Sequence, residues 1–195
     1  MTHVIEPAVP DDASRLGPLL LRAWLQTYPR REAGIDEEWI REHRGAAATP
    51  EGIARWRDFI EAALRDPDLL FCRVVRSEAE TEAEAEVGAE SGAPVEAVKE
   101  IVGVLCGRRG EEVTLGPMYL LNHVQGQGLG DRLMAEFLDW AGAARMCLWV
   151  TEYNEGAVRF YRRHGFEPTG DRELWQGRLP NLRMAREAAA PVGDG

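Results

Sequence analysis

The apolar run Val113–Leu121 leads into Val124-Gln125-Gly126-Gln127-Gly128-Leu129-Gly130, and a helix-patterned segment, Asp131 to Ala144, follows at once. Three glycines remove Cβ atoms where the chain must turn tightly. Consecutive backbone N–H groups of such a turn converge on an anion at the positive end of the helix. The stretch therefore reads as a phosphate cradle between a strand and a helix. Spacing excludes two familiar alternatives. A dinucleotide fingerprint starting at Gly126 needs glycine where Asp131 stands, and one starting at Gly128 fails at Leu133; the Gly-Lys-Ser/Thr ending of a P-loop is missing.

With 195 residues, 45% of them hydrophobic, the chain is long enough to bury one sizeable core. Its net charge of -10 is concentrated: Ser77 to Glu100 holds eight glutamates against Lys99 and contributes -7. The remainder has no strong bias, so bulk electrostatics gives no case for a nucleic-acid partner. Residues 77–100 have too few bulky apolar side chains to offset ordering entropy, and a mobile insertion, or a marginal solvent-exposed helix at Glu78 to Glu86, is expected there. Cys72, Cys106 and Cys147 lie in apolar runs without metal or redox spacing and read as buried thiols. No apolar run approaches the ~20 residues of a membrane span and no signal segment is evident, so a cytoplasmic protein is expected.

In chain order, His3 to Ala8 suggests a first strand. Pro10-Asp11-Asp12 then offers cap chemistry to a helix whose apolar face runs Leu16, Leu19, Leu20, Ala23, Trp24 and Tyr28. Asp36 caps a short helix ending at Gly45, and Thr49-Pro50 opens another through Ile53, Trp56, Ile60 and Leu64. Leu69–Val75 and Ile101–Cys106 look like a strand hairpin with the acidic tract as its loop, and 107–110 like a turn. Gly116-Pro117 inside the next strand argues for a bulge. Met146–Val150 is a strand, Asn154 starts a helix closed by Gly165, and Glu173–Gln176 and Leu182–Ala185 read as terminal strands before a loose tail at 188–195. This succession predicts an α/β fold with a mixed sheet and helices on both faces.

Gln125, Gly128 and Gly130 match the Gln-x-x-Gly-x-Gly signature, and Asn154, Ala157, Phe160, Tyr161, Gly165 and Phe166 match a second, downstream signature. On both, the sequence resembles the GCN5-related N-acetyltransferase (GNAT) superfamily. The resemblance implies one GNAT-like domain over 1–187, with a mostly antiparallel sheet whose central parallel strands splay. It implies acetyl-CoA as cosubstrate without a metal, its pyrophosphate on the amides of Gln125, Gly126, Gln127, Gly128, Leu129, Gly130 and Asp131. The pantetheine arm would then lie against the backbone around Met118 and Leu120. Asp131 departs from the family's small or basic residue, and its side chain is expected to point outward. The segment Ala23–Tyr28 looks like a bacterial polyamine-type or other small-molecule branch.

Acetyl transfer needs a neutral amine, a polarised thioester carbonyl and a proton for the leaving thiolate. The resemblance gives that proton to Tyr161. Asn154 suits both a hydrogen bond to pantetheine and the cap of its own helix. The glutamate that many members carry on the strand before the loop falls here at Thr114 or Gly116; Glu111, Glu112 and His123 are the nearby titratable groups. A water-mediated base, or an amine delivered neutral, fits the gap. Trp39, Trp56, Trp149 and Trp175 are expected in the core. Trp24 and Tyr28 are candidates for an acceptor cleft, where ring faces would favour a cationic amine. The expected partner is a small-molecule amine or peptide met by a monomer or homodimer; a non-catalytic acyl-CoA sensor is the alternative.

Overall fold

The computed structural model describes residues 2–77 and 99–188. The acidic tract at 78–98 and nearly all of the expected tail lie outside the described residues. In chain order the elements are β1 (His3–Pro7), α1 (Ala13–Thr27), α2 (Glu37–Arg44), α3 (Pro50–Arg65), β2 (Leu70–Ser77), β3 (Ile101–Arg109), β4 (Val113–Leu120), α4 (Leu129–Ala141), β5 (Met146–Thr151), α5 (Glu155–Arg163), β6 (Glu167–Trp175) and β7 (Leu179–Arg186). The strands form one seven-stranded sheet in the order β1-β2-β3-β4-β5-β7-β6. Every neighbouring pair is antiparallel except β4 and β5. The α/β class, the mixed sheet and the hairpin of β2 with β3 are as the sequence predicts.

The central pair positions the site. β4 and β5 register only at Val113 with Met146 and Thr114 with Cys147, and beyond those residues the two strands part. On its other side β4 carries a bulge: Leu105 faces Met118 and Gly107 faces Leu115, so Gly116 and Pro117 together oppose Cys106. A proline lacks the N–H a ladder needs, and an inserted residue bends its strand. The expected bulge therefore coincides with the point where the sheet opens.

Helices cover both faces. On β3, Gly107 lies under Phe137 and Trp140 of α4, while its neighbour Cys106 borders a cavity walled by Trp56 and Phe59 of α3. Successive strand residues point to opposite faces, which separates α4 from α3 across the sheet. Leu129, Leu133, Phe137 and Ala141 are all buried along one face of α4, as their four-residue spacing predicts.

Several local expectations are corrected. Asp12 does not cap α1 with its side chain; it accepts from the Val9 amide at 2.9 Å, closing a short 3-10 turn at Pro10–Asp12, and pairs with Arg76 at 2.7 Å. The turn expected at 107–110 lies at 110–112, because Arg109 pairs with Val113 and its guanidinium donates to the Trp140 carbonyl at 2.7 Å at the end of α4. β6 begins at Glu167, ahead of the expected Glu173.

One packing feature has no sequence signature. Gly17 of α1 and Gly52 of α3 both abut the 3-10 segment Gly45–Ala48, where an added Cβ would sit 2.1 Å from the Ala47 and Ala46 carbonyl oxygens respectively. Those obstacles are backbone and cannot swing aside. Gly52→Ala is expected to cost about 1–3 kcal/mol by forcing α3 off this segment. A lower urea midpoint at unchanged slope would show it, and a wild-type midpoint would refute it.

Candidate functional site

The wedge between β4 and β5 opens into a cavity of about 590 Å³, lined by Gly116 to Leu120 on one wall and Trp149 and Val150 on the other. Its floor is the glycine turn and its far side is α5. Gly126 and Gly128 both have φ of +76°, a backbone region open to glycine and strained for other residues. The first α4 hydrogen bond runs from the Arg132 amide to the Gly128 carbonyl, so the amides of Leu129, Gly130 and Asp131 have no helical acceptor. Gln125 braces this turn: its Nε2 donates to the Leu120 carbonyl at 2.8 Å and to Asn122 Oδ1 at 3.3 Å, fixing the turn to the end of β4. Gly126, Gly128, Gly130 and Asp131 line the cavity together with Met118 and Leu120. Leu129 is buried in the core beneath, and Gln127 turns away to donate to the His123 carbonyl at 3.3 Å.

Asp131 Oδ1 accepts from His164 Nε2 at 2.9 Å and lies 3.6 Å from Arg163, so its charge is drawn toward the end of α5. Asn154 Oδ1 accepts from the Ala157 amide at 3.2 Å and caps α5, and the residue also lines the cavity. Gly165, at φ +83°, ends that helix region. Tyr161 lies on the buried face of α5 and reaches the cavity wall. Burial, and secondarily Tyr28, push its phenol well above the ordinary range, so it stays a neutral O–H donor.

The nearby carboxylates are placed elsewhere. Glu112 is held between Arg145 and Arg183, and contacts with Cys147 and these arginines lower its pKa, which suits a structural anion and not a base. Asp131 is the one carboxylate bordering the wedge among the described residues, and neither Glu111 nor His123 borders it.

Trp149 corrects the expectation of a core residue. It is 44% exposed and lines the wedge, because the splay removes the strand that would have covered this side of β5. Tyr119, between the two residues named on β4, also borders the wedge; its hydroxyl accepts from Trp24 Nε1 at 2.9 Å. Tyr28 reaches the cavity, while Trp24 is buried behind it with ring centroids 4.4 Å apart. The Trp24 face is not open to a ligand, for the Arg44 guanidinium lies 3.9 Å above it and 4.1 Å from the Trp175 ring.

The tyrosines predict an alkaline transition. Burial raises Tyr119 well above the ordinary phenol value, Tyr161 likewise, and Tyr153 to about 12. A raised folded pKa contributes stability that is complete below the unfolded value of about 10 and is lost as pH rises through the folded values. Tyrosinate absorbance should therefore rise together with loss of the native circular-dichroism signal. All tyrosines ionising near pH 10 in a native fold would contradict this assignment.

Residues 87–168 match the model of the acetyltransferase (GNAT) domain. Over that segment the chain is similar to the GNAT acetyltransferase family. Uncharacterized N-acetyltransferases of Mycobacterium bovis and Mycobacterium tuberculosis are 40% identical to the chain over 83 residues, which is 40% of this chain and 53% of theirs. The chain thus spans about half the length of these curated relatives. Among solved structures, the PaiA N-acetyltransferase of Thermoplasma acidophilum, determined in complex with coenzyme A, superposes with a TM-score of 0.69 at 17% identity over 96% of this chain and 99% of that one. A GNAT-family acetyltransferase of Streptococcus pneumoniae gives 0.66 at 19% identity over 96% and 100%. At such identities the likeness is one of fold: a single GNAT-like domain whose parallel pair is β4 and β5. No helix among the described residues is long and apolar enough to cross a membrane.

Proposed function

We propose that the chain is an acetyl-CoA-dependent N-acetyltransferase that moves an acetyl group directly to a primary amine. The observation that carries this reading is the glycine turn whose helix-start amides line a wedge that Tyr161 also borders. In this reading the amides of 126–131 hold the pyrophosphate, and the unpaired β4 backbone facing β5 holds the pantetheine arm. Asn154 keeps its capping role beside that arm. The amine nitrogen attacks the thioester carbon; as the carbon–sulfur bond breaks, Tyr161 passes its proton to the departing thiolate and regains one from solvent, into which the new ammonium releases its own. A phenol whose pKa is raised gives up its proton late, so Tyr161 acts through a hydrogen bond that strengthens as charge reaches sulfur.

Calorimetric titration with acetyl-CoA, followed by thiol release with polyamines, aminoglycosides, amino acids and peptides, tests this reading; folded protein that does not bind acetyl-CoA would end it. Since Asp131, engaged by His164 and Arg163, is the one carboxylate among the described residues that borders the wedge, kcat/KM is expected to rise with pH up to the acceptor's own pKa and to shift with that pKa between acceptors. A fixed ascending limb for all amines would instead reveal a protein base. The same missing base favours a second reading, a non-catalytic acyl-CoA sensor, which tight binding without turnover of any amine would select.

A further inference from the structure

A second cavity, about 410 Å³, lies on the α3 side of the sheet and meets the first at Pro117, which borders both. Its character differs from that of the wedge. Among the described residues, Arg44, Arg55 and His43 border it along with the apolar faces of Trp56 and Phe59, and no aspartate or glutamate does. Arg44 is the unusual member. Its guanidinium carbon lies 3.9 Å from the Trp24 ring centroid and 4.1 Å from that of Trp175, its Nε is buried without a hydrogen-bond partner, and no described residue forms an ion pair with it. Burial pulls its pKa below the ordinary arginine value, so its charge is held at some cost. Packed against two rings whose centroids are 5.3 Å apart and which meet at an angle, the guanidinium has N–H donors whose planar fork matches two oxygens of a carboxylate or phosphate. Arg55, on the exposed side of α3, donates to the Ala46 carbonyl at 3.4 Å and, with the exposed Glu51 as an electrostatic neighbour, stands at the rim.

Resting on the acetyl-transfer reading, we infer that this second cavity holds the acidic end of the acceptor, an amine that also carries a carboxylate or phosphate and an apolar body, with Arg44 as the specificity-determining residue. The amine end then extends past Pro117 toward the wedge. A polycation such as a polyamine is disfavoured by the same residues: the cavity presents cations, and Asp131 in the wedge is already engaged by α5.

Matched acceptors test this in the intact chain: phenylalanine against phenethylamine, phosphoethanolamine against ethanolamine, and spermidine. At least about a tenfold higher kcat/KM is expected for an acidic member over its neutral partner, the size of one charge-assisted contact. The two pairs distinguish carboxylate from phosphate. No preference, or a preference for spermidine, would overturn the inference and leave the acetyltransferase reading standing. Binding of phenylacetate and phenyl phosphate, measured by calorimetry, needs no turnover. Either ligand should bind the wild type, about tenfold more weakly to Arg44→Gln, with partial recovery in Arg44→Lys. For turnover, Arg44→Gln should raise KM for the acidic amine far more than it lowers kcat. If Arg44→Gln does not fold, Arg55→Gln on the exposed helix face should still weaken the anion about threefold. Wild-type protein that binds neither anion sinks the site even if it acetylates amines; anion binding without turnover of any amine keeps the site and sinks the catalytic reading.

Discussion

Gly128→Val is expected to weaken acetyl-CoA binding on the order of a hundredfold while the chain remains folded. Gly128 sits at φ +76°, where a β-branched residue costs about 1–3 kcal/mol, and the turn will relax away from that conformation. Nothing lies within 4 Å of the position its Cβ would take, so the variant creates no clash with the core. The effect falls on the ligand: relaxation misaligns the amides that follow, and each hydrogen bond from an amide to a charged phosphate oxygen that no longer forms costs about 1.5–3 kcal/mol. Gly130→Val is the less clean experiment, since its Cβ would come 3.2 Å from the Phe160 ring and push on α5. Calorimetric affinity beside a thermal melt separates the two effects. A Gly128→Val protein with wild-type affinity would remove the pyrophosphate from this turn.

That turn is legible because glycine, helix start and strand must occur together for backbone amides to converge, and each leaves a mark in sequence. The caps at Asp36, Thr49 and Asn154 are legible for the same reason: their side chains accept from amides three residues on, a purely local bond. Features that depend on distant packing leave no mark. Gly17 and Gly52 look like ordinary helix-weakening residues until the backbone of Ala46 and Ala47 is laid against them. Trp149 stands in a run, MCLWV, without polar alternation, so only the splay of β4 from β5 decides that it faces open space. The first part of β6 is exposed at nearly every residue along a sheet edge, and its polar sequence carries no period to read. Arg44 is invisible in sequence as a functional candidate because its partners, Trp24 and Trp175, come from opposite ends of the chain. Of the two rings that the sequence offers to a cationic amine, Trp24 is covered by the protein's own Arg44, whereas Tyr28 reaches the wedge.

Tyr161→Phe should lower kcat by about a hundredfold or more, the usual range for losing a positioned proton donor, with acetyl-CoA affinity held within a few fold. Phenylalanine keeps the ring against Phe160 and Phe166, whose centroids lie 5.5 and 6.0 Å away, so packing around α5 is preserved. A role at sulfur makes a sharper demand than a loss of rate. The donated hydrogen bond matters only while the departing thiolate is strongly basic, so the deficit should shrink when the donor is an acetyl thioester of a more acidic thiol. A tyrosine that merely shapes the wedge would impose the same deficit on both donors. Equal deficits, or undiminished turnover with acetyl-CoA, would take Tyr161 out of the proton transfer and leave the leaving thiolate to solvent.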